Sequence, residues 1–136
     1  MELRIYLYNK PVSDVRALRT EVFLEELGCE NEFDDIDNSA THVLFYDKNT
    51  AIATGRLYTQ GEDFFIGKVC VKKDYRGNKL GRRVVLALEE DARKSGGRLV
   101  RAYASGEAKP FCEKLGYTAE SEADGAQTVM VKKLRD

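Results

Sequence analysis

The sequence predicts a mixed α/β (α+β) protein in which helices cover both faces of a central sheet. Two observations lead to this prediction. Short apolar strands follow one another across a turn at 47–50, which is typical of an antiparallel hairpin. An amphipathic helix at 82–94 lies between two apolar strands, and such a crossover connects parallel strands. With 136 residues and no low-complexity linker, we expect one domain spanning 1–136.

The N-terminal half begins with a strand and a helix. Leu3, Ile5 and Leu7 alternate with polar or amphipathic residues, which predicts the first strand. Apolar residues at helical spacing then predict a helix over 13–27, with Ser13 as a candidate cap and Gly28 as its end. After an acidic stretch, strands are predicted at 42–46 and 51–58.

The C-terminal half alternates between strands and helices. Its elements are predicted at 64–71, 82–94, 99–104, 108–115, 117–121 and 127–133. Val84, Val85 and Leu88 form the buried stripe of the longest helix. Pro110 is tolerated only in a first helical turn, so the helix at 108–115 must be short. Asp124-Gly125 is a candidate turn between the last two strands.

Composition excludes several classes of function. The formal net charge is −1, so no overall attraction to a nucleic acid is expected. The spacing of Cys29, Cys70 and Cys112 matches neither a zinc site nor a CxxC motif, so we expect free thiols and no metal. No stretch approaches the ~18 apolar residues of a membrane helix. We therefore expect a cytoplasmic protein without a membrane partner.

The segment most informative about function is KKDYRGNKLGRR, residues 72–83, between an apolar strand and the amphipathic helix. Six of these twelve residues are cationic, and Asp74 is the one acid among them. Gly77 and Gly81 allow a tight turn and a close approach of the backbone to a ligand. Free amides at a helix N-terminus, together with clustered cations, suit a phosphate. The alternative is a solvated basic loop, and acidic side chains capping the turn would contradict an anion site.

This segment resembles motif A of the GCN5-related N-acetyltransferase (GNAT) family, whose pattern is Gln/Arg-x-x-Gly-x-Gly/Ala. Arg76 and Gly81 occupy the outer positions of the motif. Lys79 stands where the family has glycine, which requires an unusual backbone conformation of a lysine.

A second family pattern, Ala-x-x-Phe-Tyr-x-x-x-Gly-Phe/Tyr, follows the crossover helix. The matching residues in this chain are Ala108, Phe111, Cys112, Gly116 and Tyr117. The N-terminal half resembles a bacterial subgroup that includes YjcF and ElaA. That likeness is carried by Val22-Phe23 in the first helix, by an acidic loop ending at 34–37, and by Ala-Thr-His at 40–42.

The resemblance implies the GNAT fold, with a mixed, mostly antiparallel sheet, and acetyl-CoA as co-substrate. Two parallel strands, ending near Val71 and Ala104, would splay apart to admit the pantetheine arm. The residues implied to bind the cofactor are Val69, Cys70 and Val71 along the strand, Arg76, Gly77, Asn78, Lys79, Leu80, Gly81 and Arg82 around the diphosphate, and Ser105 where the family often has asparagine.

The resemblance also implies direct attack of a neutral amine on the thioester, with a backbone N–H near Cys70 polarising the carbonyl. The family's proton donor is the tyrosine of Phe-Tyr, and Cys112 occupies that position. A thiol can donate a proton, but Cys112 lies on the apolar face of its helix, so core packing is the alternative. Tyr103 and Tyr117 are further candidates if their hydroxyls reach the thioester. Water could also relay the proton.

The acceptor amine is addressed by two weaker signals. The stretch 25–37 carries seven carboxylates and no Lys or Arg, so it would favour a cationic amine if it lined the acceptor cleft. A solvated acidic loop is the alternative. His42 could act as a general base, although a single histidine on a strand is more often a hydrogen-bonded structural residue.

We therefore expect an N-acetyltransferase acting on an amine of a small molecule or protein, as a monomer or homodimer. One alternative is an acyl-CoA-binding sensor of the same fold with little catalysis. The second is an RNA-binding domain that uses the basic segment, and strong salt-dependent RNA binding would favour it. The chain has neither a basic overall charge nor an RNP-like aromatic pattern, which disfavours RNA.

Overall fold

The computed structural model of the protein describes residues 1–29, 32–123 and 127–135, and gives the backbone alone for 122 and 123. Within these ranges seven strands form one sheet in the order β1-β2-β3-β4-β5-β7-β6. The strands are β1 (Leu3–Tyr8), β2 (Thr41–Asp47), β3 (Thr50–Gln60), β4 (Asp63–Val71), β5 (Leu99–Ala104), β6 (Thr118–Ala123) and β7 (Gln127–Lys133). Every predicted strand is present with ends within about two residues. The candidate turn Asp124-Gly125 lies outside the described residues.

Three α-helices occur in the described chain: α1 (Ser13–Arg19), α2 (Leu80–Lys94) and α3 (Ala108–Lys114). The single helix predicted over 13–27 is only partly correct, because α1 passes into a π-helical segment, Thr20–Glu26. The predicted cap at Ser13 is wrong: Val12 is the N-cap residue, and no side chain of the residues described here caps the helix. Pro110 lies in the first turn of α3, as its missing N–H requires.

The pairing of the strands confirms a mixed, mostly antiparallel sheet. Neighbouring strands are antiparallel throughout, except for β4 and β5, which are parallel. The exception has a local cause, since α2 connects the end of β4 to the start of β5. A crossover of this length returns the chain to the end of the sheet at which β4 begins, so that β5 can run parallel to β4.

Helices cover both faces of the sheet, as predicted. Along β2, Val43 and Phe45 pack in the core beneath α2, whereas Leu44 packs in a second cluster with Val15 and Leu18 of α1. Alternate side chains of a strand point to opposite faces, so the two helices must lie on opposite sides. We refer to these sides as the α1 face and the α2 face.

The contact between α2 and β3 depends on a glycine. A β-carbon placed on Gly55 would lie 2.7 Å from Cγ1 of Val84, a distance that packed carbon atoms do not tolerate. The helix therefore approaches the sheet closely at this point, which sets the position of the helix N-terminus relative to the end of β4.

No helix within the described ranges is both long enough and apolar enough to cross a membrane.

Candidate active site

Hydrogen-bonded pairing between β4 and β5 is short and leaves a wedge-shaped gap between the two strands. Only Phe64 with Val100 and Phe65 with Arg101 are paired. Beyond them β4 continues to Val71 along β3, and β5 continues to Ala104 along β7. We call the wedge between 66–71 and 102–104 the opening. An extended ligand can lie against the free edge of a strand in such a gap.

A β-bulge precedes the opening. The register between β3 and β4 shifts so that two β4 residues, Lys68 and Val69, lie opposite the single residue Gly55. Lys68 has a φ of 51°, a left-handed conformation that is uncommon for a residue with a side chain. Because a bulge bends its strand and increases the local twist, it accounts for the departure of β4 from β5. The sequence carries no signal for a bulge at a lysine.

A short connection leads from β4 to α2. Its residues 76–79 and the first residues of α2 make up the segment 76–82, which we call the anion loop. Gly77 has a φ of 86°, and the N-cap residue Lys79 is left-handed with φ 60° and ψ 26°. Within the described ranges, none of the amides of residues 77–82 donates a hydrogen bond to a protein acceptor. Free amides at the positive end of a helix dipole favour an anion.

Arg76 differs from the rest of the anion loop. Its guanidinium forms two hydrogen bonds with the Glu26 carboxylate, at 2.6 and 2.7 Å, and a third with the Val71 carbonyl at 3.0 Å. Its backbone N–H donates to the Lys73 carbonyl at 3.3 Å. The hydrogen bonds from Arg76 lower the pKa of Glu26. Glu26 thus binds the Arg76 side chain and leaves the backbone amides of the anion loop free. The ion pair connects the anion loop to the π-helical segment.

A cleft of about 450 Å³ lies between the anion loop and α3. It is lined by Val71, Arg76, Gly77, Lys79, Leu80, Gly81, Arg82, Phe111, Lys114 and Leu115. Most of these are predicted cofactor residues. The contribution of α3 was missed, and in particular the cation Lys114, which the fold brings to the loop. Helical spacing identifies Phe111 and Leu115 as one face but cannot show what they face.

Four predicted cofactor residues do not line this cleft. Val69 packs its side chain beneath α2. Cys70 is buried on the α1 face, where burial raises its pKa to about 12. The Asn78 side-chain amide donates to the Tyr75 carbonyl at 3.1 Å, and Ser105 is exposed just after β5. A strand residue can still offer its backbone to the opening, so these side-chain positions leave the predicted roles of Val69 and Cys70 untested.

Two candidate proton donors lie in the core of the α2 face. Cys112 is partly buried, packs against that core and does not line the cleft; burial raises the pKa of its thiol. Tyr117 is buried, and its hydroxyl donates to the Glu89 carboxylate at 2.8 Å. Lys132 binds the same carboxylate at 3.0 Å. The Tyr117 hydroxyl therefore serves a buried polar contact and is not available to a substrate.

Tyr103 has a different environment. Its ring is 43% exposed and stacks on Phe65, with centroids 5.5 Å apart and planes inclined by 12°. Phe65 in turn stacks on Tyr58 at 5.4 Å and 14°. Tyr58 follows Thr54 at even spacing along β3, and Thr54 is paired with Leu44, so the three rings lie on the α1 face.

Three carboxylates of the acidic stretch are bound by buried arginines, although Glu25 and Asp35 of the same stretch are exposed. Arg19, which is 1% exposed, binds Glu32 at 2.8 Å and Asp37 at 2.7 Å. Arg56 binds Asp37 at 2.9 Å and Asp34 at 2.6 Å. These carboxylates are therefore engaged in a buried network that joins α1 to β3. Glu30 of the same stretch lies outside the described residues.

His42 belongs to this network and has a structural role. It is buried, and its Nε2 donates to the Asp37 carbonyl at 2.9 Å. Burial lowers its pKa, which favours the neutral form of the ring. A side chain enclosed in this way cannot reach a substrate, which favours the structural interpretation over a general base.

Comparison with known proteins agrees with the geometry. The sequence profile of the acetyltransferase (GNAT) family matches residues 8–117. A Bacillus subtilis (strain 168) relative named uncharacterized N-acetyltransferase YjcF is 30% identical over 118 residues, which cover 85% of this chain and 84% of the relative. The resemblance inferred from the sequence is thereby confirmed.

Solved structures show the same fold. An acyl-CoA N-acyltransferase from Pseudomonas aeruginosa superposes with a TM-score of 0.85 at 21% identity, covering 96% of this chain and 99% of that one. The PaiA N-acetyltransferase of Thermoplasma acidophilum, solved in complex with coenzyme A, has a TM-score of 0.73 at 17% identity, with 96% and 99% covered. By sequence and by fold, this chain belongs to the GNAT acetyltransferase family and is an acyltransferase.

Proposed function

We propose that the protein transfers the acetyl group of acetyl-CoA to an amine. The observation that carries the proposal is the position of the opening: β4 and β5 separate beside the free amides of the anion loop. Pantetheine would lie in the opening as an added strand, and the diphosphate would lie at the N-terminus of α2. This arrangement uses backbone groups, so it tolerates Lys79 in place of the family glycine.

Side chains around the cleft suit a charged nucleotide with an apolar arm. Arg82 is exposed beside the free amides, and Lys114 adds a second cation from α3. Phe111 and Leu115 provide an apolar wall on the same side. Arg76 supports the loop through Glu26 and would not contact phosphate with its amide, which already has an acceptor.

The reaction needs a neutral amine, a polarised carbonyl and a proton for the leaving group. The amine nitrogen attacks the thioester carbon, the C–N bond forms and the C–S bond breaks. The amine gives up one proton, and the thiolate of coenzyme A takes one up. A backbone N–H of residues 69–71 would polarise the carbonyl. The candidate donors are the Cys112 thiol, the Tyr103 hydroxyl and water, and the burial of Cys112 favours the latter two.

The redox state of the cysteines indicates the cellular compartment in which the reaction takes place. All three cysteines fall within the described ranges, and each of them is a free thiol. Free cysteines are typical of a reducing compartment, so we propose that the reaction takes place in the cytoplasm.

Calorimetric titration tests the cofactor site. We expect acetyl-CoA to bind, and S-acetylpantetheine, which lacks the diphosphate and nucleotide, to bind at least tenfold more weakly. Replacing Arg82 or Lys114 by alanine should weaken acetyl-CoA several-fold each, in a salt-dependent manner. Lys94→Ala is the matched control, because Lys94 is an exposed cation at the other end of α2. Equal effects of all three substitutions would contradict the proposed diphosphate site.

Turnover is tested by measuring thiol release from acetyl-CoA with a panel of amines. Release that depends on the amine, together with an acetylated product in mass spectrometry, is the expected result. Tight binding of acetyl-CoA without amine-dependent release would favour the sensor function instead. Absence of binding to coenzyme A and to its acetyl form would refute the proposed function.

A further inference from the structure

Three aromatic rings from three neighbouring strands form a continuous stack, which we call the aromatic ladder. It consists of Tyr58 on β3, Phe65 on β4 and Tyr103 on β5. The first two rings are buried, with Ile36 and Ala40 packed against them. Tyr103 is 43% exposed, so the ladder ends in a ring that retains open surface.

The exposed end of the ladder lies at the opening. Phe65 belongs to the last paired position between β4 and β5, opposite Arg101. Tyr103 lies two residues farther along β5, where the strands have already separated, and its ring is on the α1 face. The anion loop and α3 lie on the α2 side. A thioester held in the opening would therefore be accessible to an amine that approaches past Tyr103.

Two arginines near the aromatic ladder are paired with carboxylates. Arg56, whose guanidinium lies over the Tyr58 ring, is neutralised by Asp34 and Asp37. Arg101 binds Glu120 at 2.8 Å and Asp63 at 3.0 Å. Within the described chain, the charges of Arg56 and Arg101 are thus compensated by carboxylates. An acceptor that bound beside them would be selected by shape and by ring contacts more than by charge.

We propose that Tyr103 forms a wall of the acceptor subsite and that its ring selects amines that carry a flat aromatic group. The inference rests on the proposed function and adds the class of acceptor. An incoming ring would extend the aromatic ladder by one member, in the offset arrangement that aromatic pairs prefer. A saturated ring of the same size cannot stack in this way. Tyr103 is then a specificity-determining residue through its ring, whatever its hydroxyl contributes.

Two amines of equal length and charge isolate the ring contact: 2-phenylethylamine and 2-cyclohexylethylamine. We expect kcat/KM to be about tenfold higher for the aromatic amine, mainly through KM. Tyr103→Ala and Tyr103→Leu should bring the ratio close to one, whereas Tyr103→Phe should keep it. Tyr6→Ala is the matched control, because Tyr6 is 40% exposed and stacked on Tyr8, but lies on the edge strand β1.

Measuring acetyl-CoA affinity and thermal unfolding for each variant distinguishes failure of this inference from failure of the proposed acetyl-transfer function. If acetyl-CoA does not bind the unmodified protein, or binds without acetylating any amine of the panel, the proposed function and this inference both fail. If other amines of the panel are acetylated but these two react equally, or neither of them reacts, the inference alone is overturned. A ratio unchanged in both Tyr103→Ala and Tyr103→Leu overturns it too. Loss of the ratio in Tyr103→Phe would assign the effect to the hydroxyl and would likewise overturn it.

Discussion

Asp37 is the central anion of the buried network, and its replacement by asparagine is the most informative test of the fold. The carboxylate accepts hydrogen bonds from Arg19 at 2.7 Å, from Arg56 at 2.9 Å and from the Asp34 amide at 3.1 Å. Asp37→Asn keeps the size of the side chain but removes its charge. The buried guanidiniums of Arg19 and Arg56 then each lose one of their two carboxylate partners.

The loss of stability expected for Asp37→Asn can be worked out in two ways. Removing one partner of a buried ion pair costs about 3–5 kcal/mol. Burial raises the pKa of Asp37, but hydrogen bonds from Arg19, from the Asp34 amide and from Arg56 outweigh it and lower the pKa from 3.8 to about 2. At about 1.4 kcal/mol per pKa unit, that shift corresponds to about 2–3 kcal/mol. We favour the larger value, because an asparagine amide also turns an NH2 group towards guanidinium donors.

Urea unfolding followed by circular dichroism measures this loss. We expect the free energy of unfolding to fall by about 3–5 kcal/mol at pH 7, which corresponds to a decrease in Tm of roughly 10–20 °C. Asp35→Asn is the matched control, because Asp35 is exposed on the same 3-10 helix as Asp37, Asp35–Asn38, and it should change stability by less than about 0.5 kcal/mol. A loss below about 1 kcal/mol for Asp37→Asn would refute the reasoning.

The same network predicts a pH dependence with a defined sign. The pKa of Asp37 is lower in the folded protein than in the unfolded chain, so its charge stabilises the fold above pH 4. That contribution is lost as the pH falls from about 4 towards 2. The difference in stability between the unmodified protein and Asp37→Asn should therefore shrink over this interval. A difference that stays constant from pH 7 to pH 3 would show that the carboxylate charge is not its source.

Two further predictions concern the site. Gly77 and Gly96 have φ angles of 86° and 89°, and a β-carbon at either would meet no atom of the described chain within 4 Å. Gly77→Ala and Gly96→Ala should therefore destabilise the protein equally, by about 1 kcal/mol, but only Gly77→Ala should weaken acetyl-CoA binding in calorimetry. Cys112→Ala should retain kcat within about twofold in the thiol-release assay and lower stability by about 1 kcal/mol, because the thiol packs in the core. A fall in kcat of about 100-fold with unchanged KM would instead establish the thiol as the proton donor.

The elements of secondary structure and the anion loop could be predicted from the sequence because both depend on neighbouring residues. Apolar spacing of two or of about 3.6 residues indicates strands and helices directly, and the observed strands follow it closely. The anion loop is likewise contiguous, so its glycines, cations and following helix are visible as one segment. Lys79 shows the limit, since its left-handed conformation was anticipated only from the family pattern.

Contacts between distant residues were decided by the tertiary structure alone. The seven carboxylates of the stretch 25–37 look like a solvated surface in the sequence, yet Glu32 and Asp37 are buried against Arg19. The aromatic ladder joins three strands, and the bulge at Lys68 opens β4 from β5 without a local signal. Local backbone preference is encoded by adjacent residues, whereas burial and pairing depend on which surfaces meet after the chain has folded.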